Sequence, residues 1–389
     1  MRLSADRSAP LACVIGSMDL VRPLGLAGIR CAVVAAPGDL TRWSRHTVRT
    51  ISWSDPWREP ERLLERLLAF AESERVPPVL FYEGDWDLLM VSRERERLRP
   101  GFRFVIPEAE LVEDLVDKER FGALAERLNL PVPPGRRIPS SASSDEDLGL
   151  GFPIVVKPLT RQNAEWTPLA GRAKALLVRT PAEFRTVRAR LADEGLEALA
   201  QRAVSGPETR IESYHAYVDE SGAVAGEFTG RKLRTHPPGE GFTTALVTTR
   251  EPDVVAAGRD ILERLQFRGV AKLDFKRDES GRLWLLEVNP RFNLWQHAGA
   301  KAGVNLPAVV YRDLNGLPRA PAQPARQGVR WVYHRHDARA ARAAGIPLHR
   351  WLPWAIRSEA KSAIALDDPM PLVRGSVKAV RARFSRSGA

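Results

Sequence analysis

The sequence predicts an α/β protein of two or three domains, and three observations carry that expectation. The chain has 389 residues, 44% hydrophobic and 28% charged, so it can bury large cores and exceeds the usual length of one domain. Its first 110 residues or so alternate short apolar runs with helical patterns. Further on, two strand-like runs flank a Ser-Gly pair and place carboxylates at alternating positions.

The first run, LACVIG (11–16), leads into a helix-like segment that ends at Ala27, and Gly28 precedes a second run, CAVVAA (31–36). Strand, helix, strand is a βαβ opening. A helical pattern over 60–74 precedes PVLFYE (78–83), an amphipathic 85–98 and the run RFVIP (103–107). Residues 1–112 are therefore expected to form an open α/β unit. Gly16 follows the first strand without a G-x-G-x-x-G, so a tight turn is expected there and no dinucleotide fingerprint. Next, Asp117 can cap a helix over 118–128 by accepting its orphan N–H groups. After NLPVPPGRRIP come the buried-type strand FPIVVKP (152–158), a polar loop through Gly171, and a strand, helix and strand in KALLV, PAEFRTVRARLA and LEALAQRAV.

Composition excludes several classes. The two cysteines, Cys13 and Cys31, lie in apolar runs and read as reduced core thiols, which excludes a disulfide scaffold and suits a cytoplasmic location. No apolar stretch reaches the roughly 20 residues that span a bilayer. The net charge of +11 is uneven: residues 319–389 hold 14 basic and four acidic side chains, which leaves 45 against 44 for the rest. A neutral body thus precedes a basic extension, in which PRAPAQPARQG reads as a linker and Trp331, Trp351 and Trp354 interleave with Arg and His. Such a surface could meet an anionic membrane face, a nucleic acid or an acidic polymer, but a solvated, partly helical tail with WVYH added to the body as a strand is the favoured reading over any single partner. No nucleic-acid motif is present, so no specific nucleic-acid partner is expected.

The stretch GVAKLDFKRDESGRLWLLEVNPR (269–291) is the most informative. With Ser280-Gly281 as a two-residue hairpin loop, Asp274 falls opposite Glu287 and Lys272 opposite Asn289. One face then carries Leu273, Phe275, Trp284, Leu286 and Val288 to the core; the other carries Lys272, Asp274, Lys276, Glu287 and Asn289. Two carboxylates directly across a ladder repel, at a cost of roughly 0.2–1 kcal/mol. Either the flanking lysines neutralise them, or a divalent ion does. Asp274, Glu287 and the Asn289 carbonyl offer the hard oxygen ligands that Mg²⁺ prefers.

Asp274 followed by Glu287-Val288-Asn289-Pro290-Arg291 resembles the metal-binding strand pair and the E-x-N-x-R signature of ATP-grasp carboxylate–amine ligases. The other landmarks occur in family order. Asp117-Lys118 before a helix and LPVPPG is similar to the first nucleotide lysine, and VVKP around Lys157 to the second. Gln201-Arg202-Ala203-Val204, with Gly206 and Glu208 after it, is similar to the hinge that meets adenine and the acid that meets ribose. The segment FTGRKLRTHPPGEGFTTALVTT (228–249) resembles the D-aspartate ligase-like branch, as does SRHTVRT after the second strand.

This resemblance implies an ATP-grasp fold: a Rossmann-like pre-grasp domain (1–112), a first ATP-grasp half with a mobile lid (113–200), a second half with the metal hairpin (201–318) and the basic extension (319–389). It implies ATP and Mg²⁺, with Mn²⁺ as an alternative ion, and small-molecule carboxylate and amine substrates such as an amino acid, a peptide or a glycan-linked carboxylate. Lys118, Lys157, Gln201, Val204 and Glu208 are then nucleotide-binding, Asp274, Glu287 and Asn289 metal-binding, and Arg291 with Lys232 catalytic. The loop TRQNAEWTPLAGR (160–172) departs from the glycine-rich lid of many relatives, and Arg161, Arg172 or Lys174 would then act there by charge. Alternatives are a carboxylate–thiol ligase or a non-catalytic ATP-binding scaffold localised by its tail. Dimerisation is a family habit that the sequence itself does not display.

Overall fold

The computed structural model describes residues 8–140, 148–159, 163–171, 173, 175–238, 241–321, 323–362 and 365–374. The first unit holds β1 (Ala12–Ile15), α1 (Met18–Leu26), β2 (Cys31–Ala35), β3 (Thr47–Ser52), α2 (Pro60–Glu72), β4 (Val79–Tyr82), α3 (Asp85–Arg93) and α4 (Arg95–Leu98). Its four strands are parallel in the order β3-β2-β1-β4. Period-two burial builds two cores from one sheet. Ala12, Val14, Val33 and Phe81 face one cluster, which continues into Trp295, Tyr311 and Trp331; Cys13, Ile15, Val34 and Leu80 face the other, with α2 and α3. Cys13 and Cys31 are therefore buried, free and on opposite faces, and burial pushes both thiols up. One local expectation fails here, and one strand was not expected from the sequence. The run 103–107 forms only a bridge at Arg103 to Val79, and β3, whose side chains are mostly exposed, was hidden by its polar composition.

The chain then enters α5 (Ala109–Val116) and α6 (Lys118–Arg127). Asp117 caps α6, accepting from the N–H groups of Glu119 and Arg120, as its sequence predicts. A small antiparallel sheet follows, β5-β8-β6-β7, from β5 (Gly135–Ile138), β6 (Ile154–Pro158), β7 (Leu176–Val178) and β8 (Ala198–Arg202), with α7 (Asn163–Ala170) and α8 (Pro181–Asp193). It has its own core, including Ile138, Val156, Trp166, Phe184 and Leu191. The expected loop over 160–172 is in fact largely the helix α7, in which Trp166 and Leu169 are buried; Arg161, Arg172 and Lys174 lie outside the described residues.

The central sheet has the order β13-β12-β9-β10-β11-β14-β15. Its members are β9 (Ile211–Val218), β10 (Val224–His236), β11 (Phe242–Thr249), β12 (Gly269–Arg277), β13 (Leu283–Asn289), β14 (Arg330–Val332) and β15 (Ala360–Lys361), accompanied by α9 (Pro252–Arg264), α10 (Gln296–Lys301), α11 (Leu306–Leu314), α12 (His334–Ala343) and α13 (Leu348–Arg357). The extension thus supplies the last two strands. Trp331 and Trp351 are buried and unavailable to a partner, because each indole N–H is consumed inside the protein: Trp331 donates to Asp19 (2.7 Å) and Trp351 to Asp337 (2.8 Å). Asp337 is fully buried and also accepts from Arg234 (2.8 and 2.7 Å) and Thr244 (2.9 Å). Further on, Asp368 accepts from the Ser44 hydroxyl and the Arg45 N–H, both at 2.8 Å, tying the extension to the first unit.

Candidate active site

The β12–β13 pair is antiparallel with Lys272 opposite Asn289 and Asp274 opposite Glu287, the register read from the sequence. The turn differs. Asp278 N–H donates to the Arg282 carbonyl (3.0 Å) and Gly281 N–H to that of Asp278 (3.1 Å), so the connection is longer than the two-residue Ser280-Gly281 loop. The Asp278 carboxylate fastens it, accepting from Ser280, Arg282 and Trp284. A bulge between Asp274 and Phe275 compensates, since Phe275 pairs with Leu285 and leaves Leu286 extra. The core face accordingly carries Leu273, Phe275, Leu285 and Val288, with Leu285 in place of the expected Trp284 and Leu286.

Asp274 is almost wholly buried. One oxygen accepts from the Ser213 hydroxyl of β9, and the other lies 2.5 Å from Lys272 Nζ and 3.5 Å from Lys232 Nζ. Two lysines therefore share one largely buried patch with Asp274, and the half-buried Glu287 lies opposite on the ladder. Burial works against the Lys232 charge, but Asp274, Glu287 and Glu208 outweigh it and raise its pKa. Burial prevails at Lys272, whose pKa is lowered despite Asp274 and further by Lys232. Asn289 Nδ2 donates to Glu287 Oε1 (3.1 Å), while Asn289 Oδ1 lies 3.4 Å from Arg291 Nη2. Glu208, in a short 3₁₀ turn before β9, accepts from the Thr235 hydroxyl of β10.

A second cluster sits at the end of β6. Lys118, first residue of α6, donates to the Pro158 carbonyl. Lys157 donates to Gln201 Oε1 (3.0 Å), and Gln201 Nε2 donates to the Pro133 carbonyl (3.0 Å). Lys118, Lys157 and Gln201 thus converge although 83 positions separate the outer two, because β6 and β8 pair with Val155 opposite Gln201. Val204 is half-buried in the strand-free segment between β8 and Glu208.

The first unit contributes acids that sequence reasoning missed. Arg291 makes a bidentate contact with Asp85 at the start of α3, 2.6 and 3.3 Å. Glu83, just past β4, accepts from the Ser17 N–H (2.6 Å) and hydroxyl (3.1 Å). Burial and the Asp19 charge push Glu83 up to about 7, against Ser17 and Arg291. Gly16 is more than a turn residue: a Cβ there would meet Glu83 Oε2 at 2.8 Å. The carboxyl ends of β1 and β4 form the point where connections on either side of a parallel sheet diverge; the acid-rich EGDWD after PVLFY was the available signal.

Comparison with known proteins fits this architecture. A family profile described as ATP-grasp in the biosynthetic pathway with Ter operon matches residues 231–336. D-aspartate ligase of Enterococcus faecium is 25% identical over 239 residues, 59% of this chain and 57% of that protein. A D-alanine–D-alanine ligase of Alkalilimnicola ehrlichii is 26% identical over 218 residues, 51% and 65% of the respective chains. The chain thus spans less than two thirds of either relative. Among solved structures, an N5-carboxyaminoimidazole ribonucleotide synthetase in complex with ADP superposes with a TM-score of 0.63 at 14% identity, covering 83% of this chain and 80% of that one. An L-amino acid ligase from Bacillus licheniformis gives 0.59 at 15%, covering 79% and 75%. The parallel first sheet, the small and central sheets and these superpositions give the chain an ATP-grasp fold, and its sequence is similar to D-aspartate ligase and to the ATP-grasp profile over residues 231–336.

Proposed function

We propose that this chain is an ATP-dependent ligase that joins a carboxylate to an amine through an acyl phosphate, with an amino acid among its substrates. The observation that carries the reading is the constellation on the central sheet, where the buried Asp274 and Asn289 and the half-buried Glu287 and Lys232 gather and adjoin Arg291. The named relatives, D-aspartate ligase and D-alanine–D-alanine ligase, support the amino-acid class.

In this reading Lys118 and Lys157 hold nucleotide phosphates as point charges, Gln201 and Val204 meet the base and Glu208 the ribose. Asp274, Glu287 and the Asn289 carbonyl would hold Mg²⁺, since their oxygen donors suit a hard ion; the Asn289 amide, whose N–H faces Glu287 and whose carbonyl faces Arg291, would turn over to join Glu287 on the ion. When bound, the ion neutralises charge on the phosphate oxygens. A substrate carboxylate oxygen bonds to the γ-phosphorus as the bond to ADP breaks. The amine nitrogen then bonds to the acyl carbon, inorganic phosphate leaves and the nitrogen sheds a proton. Lys232 and Arg291 face the negative charge that develops in both steps. Fixed cations in a largely buried site need no reorganisation at that moment, which makes them effective.

ADP release against panels of amino acids and amines tests the reading. Acceptor-dependent release with formation of an amide is the expected result. Release that answers to thiols and not amines points instead to a thiol ligase. ATP binding without acceptor-dependent release overturns the enzyme reading in favour of a scaffold.

A further inference from the structure

The helical pair α12–α13 buries one side and leaves an unusual other side. Trp351 and Ala355 of α13 pack with Val332 and Ala341, and Trp354 is held under Arg234, 4.2 Å from the guanidinium carbon to the ring centre. The helix is therefore fixed in rotation. On its free side Leu348, Leu352 and Ile356, spaced i, i+4 and i+8, are 66%, 47% and 64% exposed. That spacing makes a continuous apolar stripe along one helix. Beyond it, Leu366, Met370 and Val373 are exposed as well.

The charge of the same pair is one-sided. Arg335, Arg339 and Arg342 form an exposed i, i+4, i+7 row on α12, and Arg350 and Arg357 are exposed on α13. Between Tyr333 and Ser358 the one acid is Asp337, which is buried and engaged by Arg234, Thr244 and Trp351. After Arg374 the sequence continues with Lys378, Arg381, Arg383 and Arg386 and no acid.

We propose that α12–α13 is a docking face for an anionic lipid surface. Branched aliphatic side chains along an exposed helix, in a helical pair whose exposed charged side chains are all arginines, suit insertion at the headgroup and acyl boundary, and each basic residue adds attraction to anionic headgroups. A nucleic acid is the weaker fit. The extension's aromatic rings, which could stack on bases, are turned inward at Trp331 and Trp351, and nothing in phosphate recognition calls for three aliphatics. The face lies outside the Asp274–Glu287 patch, so docking and turnover are separable.

Flotation of the full chain with vesicles of phosphatidylcholine alone, or of phosphatidylcholine with phosphatidylglycerol, tests the proposal. Binding is expected to the mixed vesicles and to weaken with salt. The double variant L352E/I356E and the triple variant R335Q/R339Q/R342Q should each weaken it by at least about tenfold, with the thermal unfolding temperature and ATP binding unchanged, since all five side chains are exposed. Equal binding to neutral vesicles, no binding to mixed ones, or full binding by both variants overturns it. So does tighter, L352E/I356E-insensitive binding to duplex DNA, or a dimer that L352E/I356E converts to a monomer, which would assign the stripe to a second copy of the chain.

Discussion

The Arg291 guanidinium grips the Asp85 carboxylate through two hydrogen bonds, 2.6 and 3.3 Å, across 206 residues of sequence. Both side chains are mostly shielded from water, where bidentate charge-assisted pairs fix orientation as well as energy. Asp85 is thus a positioning residue for Arg291. Asp85→Ala should lower kcat by about 100-fold through misplacement of the guanidinium while leaving the KM for ATP near its original value. Asp85→Glu should restore part of the loss, and an unchanged kcat in Asp85→Ala would mean that Asp85 does not position Arg291, which also donates to the Phe292 carbonyl and Asn289 Oδ1.

Glu287→Ala should remove Mg²⁺-dependent turnover, a loss of at least about 100-fold, with the circular dichroism spectrum intact. Asp274 opposite retains Ser213, Lys272 and Lys232 as partners, so no unpaired charge is created there. Turnover titrated against Mg²⁺ is the measurement, and wild-type dependence in the variant would sink the metal assignment.

Glu83 links the site to pH. Its folded pKa of about 7 stands above the ordinary 4.5, chiefly through burial, so between those values the native state binds more protons than the unfolded chain. Stability from this group is complete below about 4.5 and is lost as pH rises through about 7. Urea unfolding of Glu83→Gln across that window should show a flatter pH dependence than wild type. Equal slopes would mean that Glu83 titrates normally.

Asp337 makes the extension part of the fold. Asp337→Ala leaves the Arg234 guanidinium without its bidentate partner in a mostly buried setting and should cost about 3–5 kcal/mol. Chains ended after Pro318 would lose β14 and β15 and expose the central sheet edge at β11, so they should be recovered unfolded or aggregated. A soluble, cooperatively folding truncation would contradict this.

The sequence made the βαβ opening legible because Ala12–Ile15 and Cys31–Ala35 are buried on both faces and read as apolar runs. It also placed Asp274 opposite Glu287, yet by two offsetting errors: the turn is longer than assumed and the bulge at Leu286 restores the count. Local pattern carries strand identity, whereas loop length and bulges depend on side-chain hydrogen bonds such as those of Asp278. The convergence of Lys157 with Gln201 could be anticipated from motif order. The Asp85–Arg291 pair could not, because it joins two units whose approach is set by the shared core of Phe81, Phe292 and Trp295. In the extension, WVYH was legible as a strand added to the body, which Arg330–Val332 forms against β11, whereas the buried Asp19 and Asp337 that take the indole N–H groups of Trp331 and Trp351 lie too far off in sequence or are too ordinary in pattern to be foreseen.

The small sheet that bears Lys157 and Gln201 keeps its apolar core to itself. Its described ties to neighbouring elements are of another kind: Lys118 to the Pro158 carbonyl, Arg137 to Glu119 (2.7 Å), and Arg202 over the Trp284 ring (5.2 Å). Swinging such a flap exchanges hydrogen bonds for water at a modest net cost, about 0.5–1.5 kcal/mol for each, without opening a hydrophobic interior. Under the proposed function the nucleotide would enter beside this polar seam, which can part at modest cost while the first and central sheets stay bonded through a common apolar core.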